Sequence, residues 1–178
     1  MKTVFTETDS YEILSEEEYD YQDVLTPILD KLEGDFDQGI INEIVLWKVN
    51  RYAAIDSSAL AILNSIKKEA TVLDEQFTRE ILEKLLPIKG IQLPMASTIL
   101  RFKNPNIYQI IDQRVYRYIK GVSIKTPYAI NKQINYYLDY LKSLREVCEK
   151  YNVPFSESDR IFYERDKKDN KDQKLKNF

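Results

Sequence analysis

The sequence predicts an all-α protein, folded as a compact multi-helix body. Apolar residues recur at helical spacing in several runs, residues typical of helix N-caps precede many of these runs, and no stretch shows sustained strand-like alternation. A length of 178 residues with 43% hydrophobic residues suits one domain with a substantial core. We therefore expect a single domain over residues 1–163, followed by a charged tail over 164–178.

The first predicted helix follows a capping-box pattern. Ser15 with Glu18 three residues later is typical of a helix start, and the run EEEYDYQDVLTPILDKLEG continues it. We expect an interruption near Pro27 and an end at Gly34.

The run GIINEIVLWKVNRYAAI predicts a core helix. The residues at helical spacing are Ile41, Ile44, Val45 and Lys48. Along one flank lie Trp47, Asn50 and Arg51.

The later helices have caps or apolar stripes of their own. Candidate N-caps at Asp56, Ser57 and Ser58 precede ALAILNSIKKEA, and Asp74 precedes EQFTREILEKLL. After Pro127, a long helix ending near Tyr151 is predicted. Its apolar stripe is Ile134, Leu138, Leu141 and Leu144. The tail ERDKKDNKDQKLKNF is polar and rich in lysine, which predicts disorder or a frayed helix, with contact to a phosphate backbone as the alternative.

Composition excludes several kinds of chemistry. The chain has one cysteine, Cys148, and no histidine, which excludes a disulfide framework, a zinc finger, a four-cysteine iron–sulfur cluster and a histidine-based triad. We expect no metal and no cofactor. No apolar tract approaches the length of a membrane span, and MKTVFTETDSYEI lacks the apolar core of a signal peptide, so a cytoplasmic protein without membrane contact is expected.

Charge is distributed unevenly along the chain. Residues 1–40 hold 2 Lys and Arg against 12 Asp and Glu, whereas residues 41–178 hold 24 against 17. The net charge of -3 thus combines an acidic N-terminal segment with a basic body. The acidic segment is interpreted as a solvated helix face, and the alternative is a segment that covers the basic face and limits non-specific DNA binding.

The stretch from Leu86 to Arg117 predicts a glycine hairpin between two helices. Gly90 is free to adopt positive φ, and Pro94 suits the first turn of the second helix. Such a hairpin presents backbone N–H groups and a positive helix end to a phosphate. The predicted DNA-backbone contacts in this hairpin are Lys89, Gly90, Ile91 and Gln92.

A turn at Asn104-Pro105 leads to Asp112, which opens a further predicted helix. Asp112 is either an N-cap alone or a cap whose carboxylate also acts on a ligand. The helix carries Arg114 and Arg117, two more candidates for contact with the DNA backbone.

The two segments IKGIQLPMASTIL (88–100) and IIDQRVYR (110–117) resemble the signature of the helix-hairpin-helix DNA glycosylase superfamily, LPGVGxKTA followed by VDxHVxR. The resemblance implies a two-lobed all-α fold with a cleft that binds duplex DNA carrying a flipped base. It also implies that Asp112 is the catalytic residue for cleavage of an N-glycosidic bond. The candidates for a base pocket are Trp47, Tyr52, Tyr108 and Tyr116, although a core position is expected for each.

The sequence departs from this signature at informative positions. Pro94 stands where bifunctional members carry a lysine, so strand nicking by an amine at that position is excluded. Gln92 replaces the second hairpin glycine, and Gln113 and Arg114 replace the polar residues usual after the aspartate. We expect a monofunctional DNA glycosylase of the base-excision repair type. The alternatives are a non-catalytic DNA-binding module of the same fold and a helical protein-interaction domain.

Overall fold

The computed structural model describes residues 21–175, and all regular structure within that range is helical. The α-helices are α1 (Thr26–Leu29), α2 (Gln38–Lys48), α3 (Ser57–Asn64), α4 (Glu75–Leu85), α5 (Leu93–Lys103), α6 (Gln113–Lys120), α7 (Ile130–Tyr151) and α8 (Ser158–Asp169). A short 3₁₀ helix, Phe155–Glu157, directly precedes α8. The predicted all-α class is thereby confirmed for the described residues.

The chain divides into two compact units, with the boundary between Tyr52 and Ala53. One domain over residues 1–163 stays a prediction, as does the cleft between two lobes.

In the first unit, Pro27 lies in the first turn of the short helix α1, and Gly34 adopts positive φ (+88°). Helical structure begins next to Pro27, but α1 ends at Leu29, so the predicted helix end at Gly34 is wrong. The predicted start at Ser15 lies outside the described residues. Asp37 caps α2 by accepting a hydrogen bond from the Ile40 amide (2.8 Å).

The prediction of α2 as a core helix is wrong. None of its residues is buried, and Ile41 and Val45 are 42% and 53% exposed. Apolar residues occupy several sides of this helix, so periodicity does not single out one face for burial.

The second unit contains a continuous apolar core formed mainly by α4, α5 and α7. Asp56 and Asp74 cap α3 and α4 as predicted. The predicted stripe of the long helix is also confirmed. Its members Ile134, Leu138, Leu141 and Leu144 are all at most 2% exposed. This core supports the loops that surround Asp112.

Helix α8 runs into the segment that the sequence predicts to be disordered or frayed. It continues to Asp169, and Asp166 is completely buried. The expectation is therefore wrong for residues 164–169, because a partner on another helix orders them. Within the described part of the chain, no helix is long and apolar enough to cross a membrane.

Candidate functional site

Seven residues, 86–92, connect α4 to α5 and include Gly90 with φ of +89°. The Ile91 amide donates to the Ile88 carbonyl (2.9 Å), and the Ile91 side chain is buried. The Ile91 N–H group is therefore already used within the turn, and its contact with a phosphate stays a prediction. Among the described residues, no acceptor contacts the N–H groups of Gly90 and Gln92, and Lys89 is exposed.

The first turn of α5 is connected to the segment that carries Asp112. Pro94 lies in this turn, and its carbonyl accepts a hydrogen bond from the Ser97 hydroxyl (2.8 Å). The same hydroxyl accepts from the Ile111 amide (3.1 Å). Ser97 thus holds the residue next to Asp112 against the helix that follows the glycine turn.

Two tyrosines of α7 hold the loop before Asp112. The Tyr137 hydroxyl donates to the Gln109 carbonyl (2.9 Å), and the Tyr140 hydroxyl donates to the Ile110 carbonyl (2.7 Å). Both tyrosines are fully buried, and this burial raises the pKa of each hydroxyl well above its usual value. They remain neutral donors, so the loop is fixed by hydrogen bonds that persist across ordinary pH.

Asp112 is the N-cap of α6 and is partly buried. Its Oδ1 atom accepts from the amides of Arg114 (2.7 Å) and Val115 (3.4 Å). No described residue donates a hydrogen bond to Oδ2. One oxygen therefore orients the carboxylate while the other is available to a ligand.

A pocket of about 400 Å³ lies beside Asp112. The α6 side contributes Ile110, Asp112 and Val115, and the α8 side contributes Asp159, Arg160, Tyr163 and Glu164. Sequence reasoning missed the α8 residues, because α8 is polar and only its packing against α6 brings it to Asp112. The described residues contain no group of three or more acidic, cysteine or histidine side chains arranged to hold a metal ion.

The two arginines of α6 bind a carboxylate of the protein itself. Arg117 contacts Asp166 through Nε (2.9 Å) and Nη2 (2.5 Å), and Arg114 contacts it through Nη1 (3.3 Å). Burial raises the pKa of Asp166, but hydrogen bonds from Arg117 and Asn170 outweigh this effect and hold the pKa below its usual value. Arg114 and Arg117 are thus engaged within the protein, and their contact with a DNA backbone stays a prediction.

None of the four predicted aromatic candidates lines the pocket beside Asp112. Tyr108 is a core residue whose hydroxyl pairs with Thr78 (3.0 Å), and Tyr116 stacks on Tyr136. Trp47 and Tyr52 belong to the first unit. The aromatic side chain that lines this pocket is Tyr163 of α8, which is not among the four candidates predicted from the sequence.

Comparisons with protein-family models, curated proteins and solved structures find no match to this chain. Function is therefore inferred from the contacts, burial and charge of the described residues.

Proposed function

We propose that this protein is a monofunctional DNA glycosylase that hydrolyses the N-glycosidic bond of a damaged or modified base. The observation that carries the proposal is the state of Asp112. Its Oδ1 atom is used in the helix cap, its Oδ2 atom has no donor among the described residues, and its side chain lines a pocket. A carboxylate that is oriented through one oxygen, and whose other oxygen is available to a ligand, suits electrostatic catalysis.

The proposed reaction breaks the bond between the sugar C1′ and the base nitrogen. The bonding electrons leave with the base, so positive charge develops on the sugar, and the Asp112 carboxylate stabilises it. Water then adds to C1′ and loses a proton, while the base takes up a proton. The products are a free base and an abasic site in an intact strand.

The pocket offers suitable surroundings for a flipped base. Ile110, Val115 and Tyr163 supply apolar and aromatic contact, and Arg160 and Glu164 supply a donor and an acceptor for the polar edge of a base. This combination favours a planar ligand with polar groups on its rim.

Pro94 supports the monofunctional form of the proposal. It lies in the first turn of α5, at the position where the resembled family's bifunctional members carry a nucleophilic lysine. Because proline has no side-chain amine, a covalent imine with the sugar does not form there, and the strand remains uncut.

The test is release of free base from duplexes that carry uracil, oxidised or alkylated bases, detected after alkali cleavage. Asp112→Asn should lower the single-turnover rate by at least about 100-fold, since it removes the charge that stabilises the transition state. Asp56→Asn is the matched control, because Asp56 caps α3 through the amides of its second and third following residues, as Asp112 caps α6. An equal rate in the wild type and Asp112→Asn would overturn the assignment.

A second candidate function is DNA binding without base release. It is favoured by the turn before α5, where Lys89 is exposed and the N–H groups of Gly90 and Gln92 have no acceptor among the described residues. In this case the affinity for duplex DNA should fall as the salt concentration rises. Lys89→Gln should reduce the slope of log affinity against log salt concentration by about one unit. Affinity that is independent of salt would exclude this alternative, and base release by the wild type would favour the glycosylase.

A further inference from the structure

A buried ion network joins helices α6 and α8. Asp166 of α8 is 0% exposed and accepts hydrogen bonds from Arg114 and Arg117 of α6. It also accepts from the Asn170 side chain (2.8 Å). Both carboxylate oxygens are engaged, so the network constrains the distance and the rotation between the two helices.

Residues at the start of α6 and residues of α8 form two walls of the pocket beside Asp112. Val115 and the capping Asp112 belong to the α6 wall, and Tyr163 and Glu164 belong to the α8 wall. The spacing between these walls therefore depends on what holds α6 against α8.

Arg114 connects the network directly to Asp112. Its backbone amide donates to Asp112 Oδ1 (2.7 Å), while its side chain donates to Asp166 Oδ2 (3.3 Å). The Arg114 guanidinium also lies 5.6 Å from the centre of the Tyr163 ring, which is part of the α8 wall. A shift of Arg114 would thus move the donor that orients Asp112.

We propose that Asp166 is a positioning residue that, through Arg114 and Arg117, sets the direction of the Asp112 carboxylate and the width of the pocket. This inference rests on the proposed glycosylase function. Asp166 itself is not a catalytic residue, because it is buried and not among the residues that line the pocket.

The kinetic test uses Asp166→Asn in the full chain, with rates expressed per folded molecule. We expect kcat to fall about tenfold or more while KM changes less than about threefold, because a small misplacement of a reacting group lowers the rate more than binding. Asp169→Asn is the matched control, since Asp169 is an exposed carboxylate of α8 that also accepts from α6, through the Tyr118 hydroxyl (2.8 Å). A kcat per folded molecule equal to that of the wild type in Asp166→Asn would overturn the proposal.

Arg114→Gln provides a milder variant in case Asp166→Asn does not fold. It leaves the Arg117–Asp166 pair and the backbone amide of residue 114 in place. A positioning role predicts a lower kcat with little change in KM. The opposite result would be a rise in KM with unchanged kcat, together with a weaker dependence of DNA affinity on salt concentration. It would identify Arg114 as a phosphate contact and contradict the proposal.

Amide hydrogen exchange separates this inference from the proposed function. In Asp166→Asn, the capped amides of Arg114 and Val115 should exchange at least about tenfold faster, while the Phe77 amide, capped by Asp74, should not change beyond the global loss of stability. If the wild type releases no base but this selective change occurs, the glycosylase proposal fails and the positioning contact stands. An equal increase in exchange rate at the amides of Arg114, Val115 and Phe77 would show that Asp166 only stabilises the fold, and it would overturn the inference.

Discussion

At the scale of single residues, three aspartates perform the same local task in different surroundings. Asp56, Asp74 and Asp112 each cap a helix by accepting hydrogen bonds from backbone amides. At Asp56, hydrogen bonds from Ala59 and Ser58 lower the pKa of the carboxyl. Only the structure separates Asp112 from the other two caps, through its place beside α8 and Tyr163.

The cap and the proposed catalytic role of Asp112 can be separated by two substitutions. Asp112→Ala should lower the free energy of unfolding by about 1 kcal/mol, whereas Asp112→Asn should change it by only a few tenths, since asparagine also caps well. Urea unfolding at neutral pH measures both values. Equal losses of stability for the two variants would contradict the expectation that asparagine preserves the cap, and no loss in either variant would show that the cap contributes nothing.

At the scale of elements, the pairing of α6 with α8 decides the shape of the candidate site. Helix α6 has eight residues, and two of them bind Asp166 of α8. A second buried pair places Arg101 Nε of α5 3.3 Å from Asp159 Oδ2 of α8. Buried charges of this kind are costly when one partner is lost, so α8 is held firmly although its sequence is polar.

Asp166 should make stability depend on pH. Its folded pKa lies below its unfolded value, so its stabilising effect is complete above about pH 4 and is lost as the pH falls through the folded pKa. Asp166→Asn should therefore cost about 3 kcal/mol at pH 7, and this difference from the wild type should narrow towards about pH 2. Urea unfolding across this range measures the effect, and a difference that stayed constant throughout would contradict it.

At the scale of the whole molecule, the two units differ in net charge, and the continuous apolar core belongs to the second unit. Residues 53–178 hold 22 Lys and Arg against 16 Asp and Glu, a balance of +6 within a chain of net charge -3. The continuous core cluster lies entirely between residues 53 and 162. The basic part of the chain thus contains both the core and the candidate site.

A fragment comprising residues 53–178 should fold without the rest of the chain. Because the core cluster is complete within it, we expect one cooperative urea transition with an unfolding free energy of about 5 kcal/mol. Circular dichroism and urea titration of the fragment measure this. A gradual, non-cooperative loss of helix would instead indicate that the first unit is required for folding.

Much of the local structure could be predicted because it depends on neighbours in the chain. A cap needs an acceptor two or three residues before a free amide, and the stripe of α7 needs only helical spacing, so Asp112 and Leu138 could be placed correctly from sequence. Helix α2 could not, because its apolar residues do not define a single face.

The all-α class, the helix caps and the position of Asp112 at the start of a helix follow from the amino-acid sequence alone. The surroundings of Asp112 depend on packing: Arg114 reaches Asp166 across 52 residues of chain, and Tyr163 enters the pocket from α8. The two kinds of feature differ in the range of the interactions that produce them. Capping and periodicity act between residues a few positions apart, whereas an ion pair or a pocket wall depends on how distant helices pack, and no local pattern encodes that contact.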